Sequence, residues 1–295
     1  MYKRRRILLA LIEAFDGKVE RLRLQKLLFL LCHKLDTPPY FFLPYRYGCF
    51  SFQANMDLLT LEKKHVVKQN PGKMRVMSGP WIDTLTGEER QKIREVKHSF
   101  GSLSDTELIR YTYIHFPFFA TRSTIAEDIL EPDEVKKIRG CLSVEISPML
   151  MTLGYEGLTL EQYMNVLVEQ NIRLLCDVRK NAMSMKYGFS KKTLATACES
   201  VGIEYAHFPE VGIVSDKRKN LRTREDYQAL FAEYRETVLR DNVNAVAALA
   251  QRILSCGRAA LLCFEKNPAL CHRSHLANAL NAYLPPSFRI HHTNA

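Results

Sequence analysis

Thirteen residues near the end of the chain, Cys263-Phe-Glu-Lys-Asn-Pro-Ala-Leu-Cys-His-Arg-Ser-His275, bring together two thiols, a carboxylate, a guanidinium and two imidazoles. The apolar run Ala259–Phe264 precedes them and an Ala/Leu-rich run follows, so the stretch reads as the turn from a buried strand into a helix. A helix start offers unpaired N–H groups and the positive end of the dipole, which favours a bound anion and the thiolate form of a cysteine. Cys271 and His272 are therefore the candidate catalytic residues, with a thiol packed inertly under the helix as the alternative for Cys271. Arg273, through its planar fork, and Ser274 are candidate anion ligands in the same turn. Cys263, Cys271, His272 and His275 also offer zinc-type donors, but C-x7-C-H-x2-H matches no common zinc spacing. No metal and no other cofactor is expected.

Three further apolar runs end in polar groups. Leu150–Gly154 leads into Tyr155-Glu156, Ile172–Val178 closes on Asp177-Val-Arg179, and Ile203–Phe208 ends near His207. Helical spacing fills the intervals at 160–170, 191–201, 225–249 and 269–283. Alternating strands and helices predict an α/β domain, a mainly parallel sheet flanked by helices, in which ligands bind beyond the carboxyl ends of the strands. Convergence of those ends would add Arg179 to the anion ligands and set Tyr155, Glu156, Asp177, His207 and Glu265 around one cleft as supporting groups. The competing reading for the arginines is structural pairing, Arg179 with Asp177 or Arg273 with Glu265. The basic run Lys217–Arg224 reads as a lid, a backbone-binding loop for nucleic acid, or a plain solvated loop.

The segments "TLGYEGLTLEQYMNVL", "LLCDVRKNAMSMKYGFSKKTLATACESVGIEYAHFPEVG" and "LLCFEKNPALCHRSHLANAL" resemble, in order, the signatures of the domain of unknown function 488 family, over about residues 150 to 285. The resemblance implies a Rossmann-like or rhodanese-like fold and a site, and no reaction. A fainter likeness to rhodaneses rests on the Asp-x-Arg strand end and a cysteine loop before an Arg-Ser helix start. Here that loop is longer and Cys271 stands two residues before Arg273, which leaves sulfur transfer as a third-ranked activity.

The first part of the chain has another character. Residues 1–75 hold 15 Lys/Arg against 6 Asp/Glu, whereas residues 151–295 hold 18 against 14, so the net charge of +10 is concentrated at the N-terminus. A localised positive field favours a polyanionic partner, of which nucleic acid is the commonest. Helical spacing over 3–15 and 22–35, a third helix opened by Ser51, and strands 66–69 and 74–77 around Asn70–Lys73 predict a winged helix. The pair "LQKLLF" (24–29) and "YGCFS" (47–51) resembles the winged-helix part of SocA-like, or Panacea-type, prokaryotic domains. Arg4, Arg5, Arg6, Lys63, Lys64 and Lys73 are the candidate nucleic-acid contacts. Residues 86–139 read as helical, with capping boxes at Thr86 and Ser104.

These features divide the chain into a winged-helix-like domain over 1–85, a helical extension over 86–142 and the α/β domain over 143–295. Eight cysteines scattered without a CxxC pair suit reduced thiols, and no apolar run approaches a membrane span. The expectation is a cytoplasmic, prokaryotic protein bound to nucleic acid, DNA before RNA, and to a small anionic ligand. A homo-oligomer is compatible with it and a membrane partner is not. The expected function is enzymatic action on nucleic acid or a nucleotide; the alternatives are a non-catalytic DNA-binding regulator or ligand sensor, and thiol-based sulfur transfer.

Overall fold

The computed structural model describes all residues except 71–72, 77–78, 143–145 and 294–295, together with the side chains of 69, 70 and 73. The chain forms two compact units, Met1–Leu142 and Ser143–Ala295.

In the first unit, α1 (Lys3–Ala14) and α2 (Arg21–Cys32) bury almost every apolar residue they carry, Ile7 to Ile12 and Leu24 to Cys32 included. Helix α3 (Phe52–Lys63) starts where expected: the Ser51 hydroxyl accepts from Ala54 N at 3.2 Å. Strands β1 (Lys18–Glu20), β4 (Val67–Asn70) and β5 (Lys73–Val76) make an antiparallel sheet in the order β1-β5-β4. A small hairpin, β2 (Leu43–Tyr45) and β3 (Gly48–Phe50), is inserted between α2 and α3. It brings the two quoted N-terminal motifs together: Gln25 exchanges hydrogen bonds with the Ser51 backbone, and Lys26 reaches Tyr47 O and Cys49 Sγ. Gly48 permits this with φ +88°, where a Cβ would lie 2.6 Å from Lys26 Nζ.

Capping boxes at Thr86, Ser104 and Glu131 open α4 (Gly87–Phe100), α5 (Asp105–His115) and α7 (Pro132–Arg139), with the short α6 (Ala126–Ile129) between the last two. Helix α4 packs on α1 and α2, so this segment shares the core of the first unit.

The second unit is an α/β domain built on five parallel strands. They are β6 (Met149–Gly154), β7 (Leu174–Asp177), β8 (Glu204–His207), β9 (Arg258–Cys263) and β10 (Arg289–Thr293), in the order β10-β6-β9-β7-β8. Among the described residues five α-helices flank the sheet: α8 (Leu160–Glu169), α9 (Lys191–Ser200), α10 (Arg224–Tyr234), α11 (Val243–Cys256) and α12 (His272–Leu280). Right-handed crossovers put α8 and α9 on one face and α10, α11 and α12 on the other, as the packing of α8 on α9 and of α12 on α10 and α11 requires. The connection leaving β9 thus departs toward the opposite face from those leaving β6 and β7, which opens a crevice at their carboxyl ends. Among the described residues no helix is long and apolar enough to cross a membrane.

Candidate functional site

Strand β7 delivers Asp177 and Arg179 to this crevice as a buried, two-pronged ion pair. Arg179 Nε donates to Asp177 Oδ1 at 2.8 Å and Nη2 to Oδ2 at 2.6 Å, while Nη1 donates to Tyr155 Oη at 3.0 Å. Tyr205, on β8, also donates to Asp177 Oδ2 at 2.6 Å. Burial opposes the charge on Arg179, yet Asp177 outweighs it and the guanidinium pKa is raised. Burial and the adjacent Asp177 carboxylate push the Tyr205 phenol up. His207 Nε2 donates to the Arg179 carbonyl at 2.9 Å, which pins the residue from behind. Three of the five guanidinium N–H groups are committed, leaving one on each terminal nitrogen.

Strand β9 delivers the second group. After Cys263 the chain crosses the end of β6, where Tyr155 N bonds Cys263 O at 3.1 Å and Glu156 N bonds Phe264 O at 2.9 Å. Gly154 permits the crossing, since a Cβ there would lie 1.8 Å from Glu265 O. A single 3-10 turn over Pro268–Leu270 follows, then Cys271 in extended conformation as the N-cap of α12. The turn folds His272 back under β9. Its Nδ1 lies 3.6 Å from Cys263 Sγ and 3.9 Å from Cys271 Sγ, and its Nε2 is 3.0 Å from Val178 O. A carbonyl only accepts, so Nε2 carries a proton, and when the ring is neutral its bare Nδ1 faces the two sulfurs. All three residues are buried.

The two thiols differ. Donation from the Cys271 thiol, and then the His272 field, hold Cys263 well below the ordinary thiol value against the cost of burial. Burial, with the neighbouring Cys263 thiolate, pushes Cys271 well above it. This order reverses the expectation that Cys271 carries the readily ionised thiol. The helix start does not lower its pKa because the residue is sealed from water beneath the chain. Burial opposes a charged His272, but Cys263 raises its pKa.

Thirteen residues of sequence thus become one strand end, one turn and one helix start, with Asp177–Arg179 beside them. Residues 159–280 match the DUF488 family, a domain of unknown function. No curated protein and no solved structure matches the chain. The DUF488 match runs from the N-cap of α8 through α12 and includes Asp177, Arg179, Cys263, Cys271, His272 and Arg273; β6 and Tyr155 precede it.

A cavity of about 140 Å³ opens over these groups, lined among others by Tyr155, Arg179, Lys180, Arg218, Cys263 and His272. Arg218 comes from the basic run Lys217–Arg224 and forms an ion pair with the Glu265 carboxylate. Burial opposes its charge, but Glu265 raises its pKa. Burial, with the nearby Cys263 thiolate, raises that of Glu265.

Two expected anion ligands are otherwise engaged. Arg273, fully buried, donates to the carbonyls of Glu265 and Lys266, and the Ser274 hydroxyl lies 2.9 Å from those of Pro268 and Cys271, which share its one proton. Both residues hold the loop from inside the turn. Glu156 is exposed and accepts from Lys266 N at 2.9 Å. His275 points to a different surface, bonding Arg235 at 3.2 Å and packing on Phe231.

The expected N-terminal contacts divide similarly. Arg4 and Arg5 converge on the buried Asp57, at 2.6 and 2.7 Å, because that carboxylate needs partners once it is desolvated. Arg6 reaches Thr84 O at 3.3 Å. Lys63 and Lys64 are exposed at the end of α3, and the Lys73 side chain lies outside the described part. A set of cations not singled out in the sequence stands on the sheet: Arg75 on β5 is the register partner of both Lys18 on β1 and Lys68 on β4. All three are exposed on one face.

Proposed function

We propose that this is a nucleic-acid-associated protein whose C-terminal cavity binds an anionic, phosphate- or nucleotide-like ligand and acts on it enzymatically. The observation that carries the reading is the cavity itself, with Arg179, Lys180 and Arg218 on its walls and Cys263 and His272 lining it. Arg179 is suited to an anion because Asp177 fixes its plane and two N–H groups remain uncommitted. Arg218 can exchange the Glu265 carboxylate for a ligand oxyanion, and the Cys263–Cys271–His272 cluster supplies the reactive end.

The nucleic-acid part is supported by the α1-β1-α2-α3-β4-β5 plan, which has the order of a winged helix with a hairpin inserted before its third helix. It is supported further by the row Lys18, Arg75, Lys68. Like charges facing one another across a sheet are unfavourable alone and are relieved by a polyanion.

Calorimetric titration with inorganic phosphate and with a nucleoside monophosphate tests the cavity. Binding that drops roughly tenfold or more in Arg218→Ala, as expected for a lost charged hydrogen bond, supports it. Absence of heat with both ligands overturns it. If binding persists but a panel of nucleotide and nucleic-acid substrates is left unchanged, the protein is a ligand-responsive regulator and the enzymatic part fails.

A further inference from the structure

The buried cluster Cys263–Cys271–His272 brings two sulfurs and an imidazole nitrogen to one point. Their sulfur and nitrogen atoms all lie within 4.8 Å of one another. Nδ1 of His272 has a single lone pair, yet Cys263 Sγ stands at 3.6 Å and Cys271 Sγ at 3.9 Å from it. Only one thiol can donate to that lone pair at a time. Without an ion the other thiol is held elsewhere, Cys271 donating to Cys263 and Cys263 reaching Glu265 Oε2 at 3.4 Å, so the two sulfurs stay close to Nδ1 in either case.

These separations are those of ligands sharing an ion. Around tetrahedral zinc, bonds of about 2.3 Å to sulfur and about 2.0 Å to nitrogen put a sulfur roughly 3.6 Å from a ligating nitrogen. The imidazole is prepared for the role. Its Nε2 proton is spent on Val178 O at 3.0 Å, which fixes the ring plane and turns Nδ1 inward, as ligating histidines are commonly held. Two thiolates and a neutral imidazole also leave a divalent ion with no net charge, the arrangement that costs least to bury.

We propose that Cys263, Cys271 and His272 form a binding site for a zinc-type divalent ion. Three protein donors leave a fourth position, and two of the three, Cys263 and His272, also line the cavity of about 140 Å³. A site of three ligands with an accessible fourth position is the pattern of a catalytic rather than a structural zinc centre. The fourth ligand is water or an anionic oxygen, with Glu265 and Arg218 at its side. Cysteine and imidazole donors select zinc over magnesium or calcium. Sequence spacing hid the site because its donors are Cys-x7-Cys-His, with His275 turned elsewhere. The inference does not depend on what the cavity's substrate is, because the ion would bind whether or not phosphate does.

The test uses the full chain purified from zinc-supplemented cells. One zinc per chain by elemental mass spectrometry is expected. After chelation, cobalt(II) should give thiolate-to-metal charge-transfer bands together with the intense visible bands of tetrahedral cobalt. Cys263→Ser, Cys271→Ser and His272→Ala should each weaken cobalt binding by more than the about 10–100-fold that loss of a ligand's own hydrogen-bond partner causes. Cys141→Ser, at an exposed thiol, should leave it unchanged.

Since buried variants can fail to fold, cadmium-113 NMR of the unaltered chain supplies a second reading. A resonance in the range of two sulfur donors supports the site, and one in the all-oxygen or four-sulfur range overturns it. Failure of the unaltered chain to hold zinc or cobalt in stoichiometric amount overturns it too, as does a cobalt spectrum that survives in Cys263→Ser/Cys271→Ser. Phosphate titration of the chelated protein separates this proposal from the anion cavity.

Discussion

His272 is anchored to the carbonyl of Val178: Nε2 donates across 3.0 Å and so ties the first turn of α12 to the end of β7. The bond selects the ring tautomer, and with it the nitrogen that faces the thiols. In nitrogen-15 spectra of histidine-labelled protein, Nε2 of His272 is expected to carry a slowly exchanging proton and Nδ1 none. A proton on Nδ1 of the neutral ring would mean that the Val178 contact does not form.

Gly154 is where the loop leaving β9 passes over the end of β6. A Cβ there would lie 1.8 Å from Glu265 O and 2.5 Å from the carbonyl carbon, both backbone atoms that a rotamer change cannot relieve. Gly154→Ala should therefore shift residues 264–266 and lower both stability and anion affinity. Thermal melts and phosphate titration check this, and unchanged values in both would show that the crossing is looser than described.

Asp177 and Arg179 have side chains 0% and 7% exposed, so neither charge has water to fall back on. Removing one partner of such a pair costs about 3–5 kcal/mol, because the other is left buried and uncompensated. Urea denaturation of Asp177→Ala should show a loss of that size, with part of it recovered in Asp177→Ala/Arg179→Met. A loss below about 1 kcal/mol would place the pair among the solvent-screened kind.

How far the sequence reveals this arrangement depends on burial. Strands β7 and β9 are buried throughout and β6 in all but its first residue, and buried parallel strands read as continuous apolar runs. Strand β10, Arg-Ile-His-His-Thr, is mostly exposed at the sheet edge and has no such run to read. At the site, the strand ends identify the residues that gather, because period and topology place them. Their partners are another matter. Arg179, Arg218 and Arg273 look alike in sequence, yet one is held by a carboxylate, one bridges to Glu265 from a loop and one is consumed by two backbone carbonyls. Likewise Cys263 reads as a core thiol at a strand end, and only the turn through Pro268–Leu270 brings it to His272.

The row Lys18, Arg75, Lys68 should govern nucleic-acid affinity. Neutralising one phosphate-contacting cation lowers the slope of log affinity against log salt by about 1, and weakens binding to all sequences alike. Duplex binding by Arg75→Gln, measured over a salt series, is expected to follow that rule, and Lys18→Gln/Lys68→Gln to double the effect. An equal slope in all three proteins, or no binding at low salt to any duplex or single strand, would remove nucleic acid from the proposed function.

Lys26 offers a pH-dependent test of the first unit. Its ammonium group is fully buried against Tyr47 O, Cys49 Sγ and the Tyr113 ring, and that burial lowers its pKa from the ordinary 10.5. Below the lowered value both folded and unfolded chains carry the proton, and folding must bury a charge. As the pH climbs past it the folded chain releases the proton while the unfolded chain still holds it, so stability from this group rises until 10.5 is passed. Each unit of pKa lowering is worth about 1.4 kcal/mol. Relative to Lys26→Met, which never buries a charge, the wild type should therefore gain stability as the pH climbs from the lowered pKa of Lys26 to 10.5. Urea denaturation of the two proteins side by side measures that difference directly. A gap that stays constant over the range would show that Lys26 keeps its proton throughout, with Tyr47 O and Cys49 compensating the buried charge.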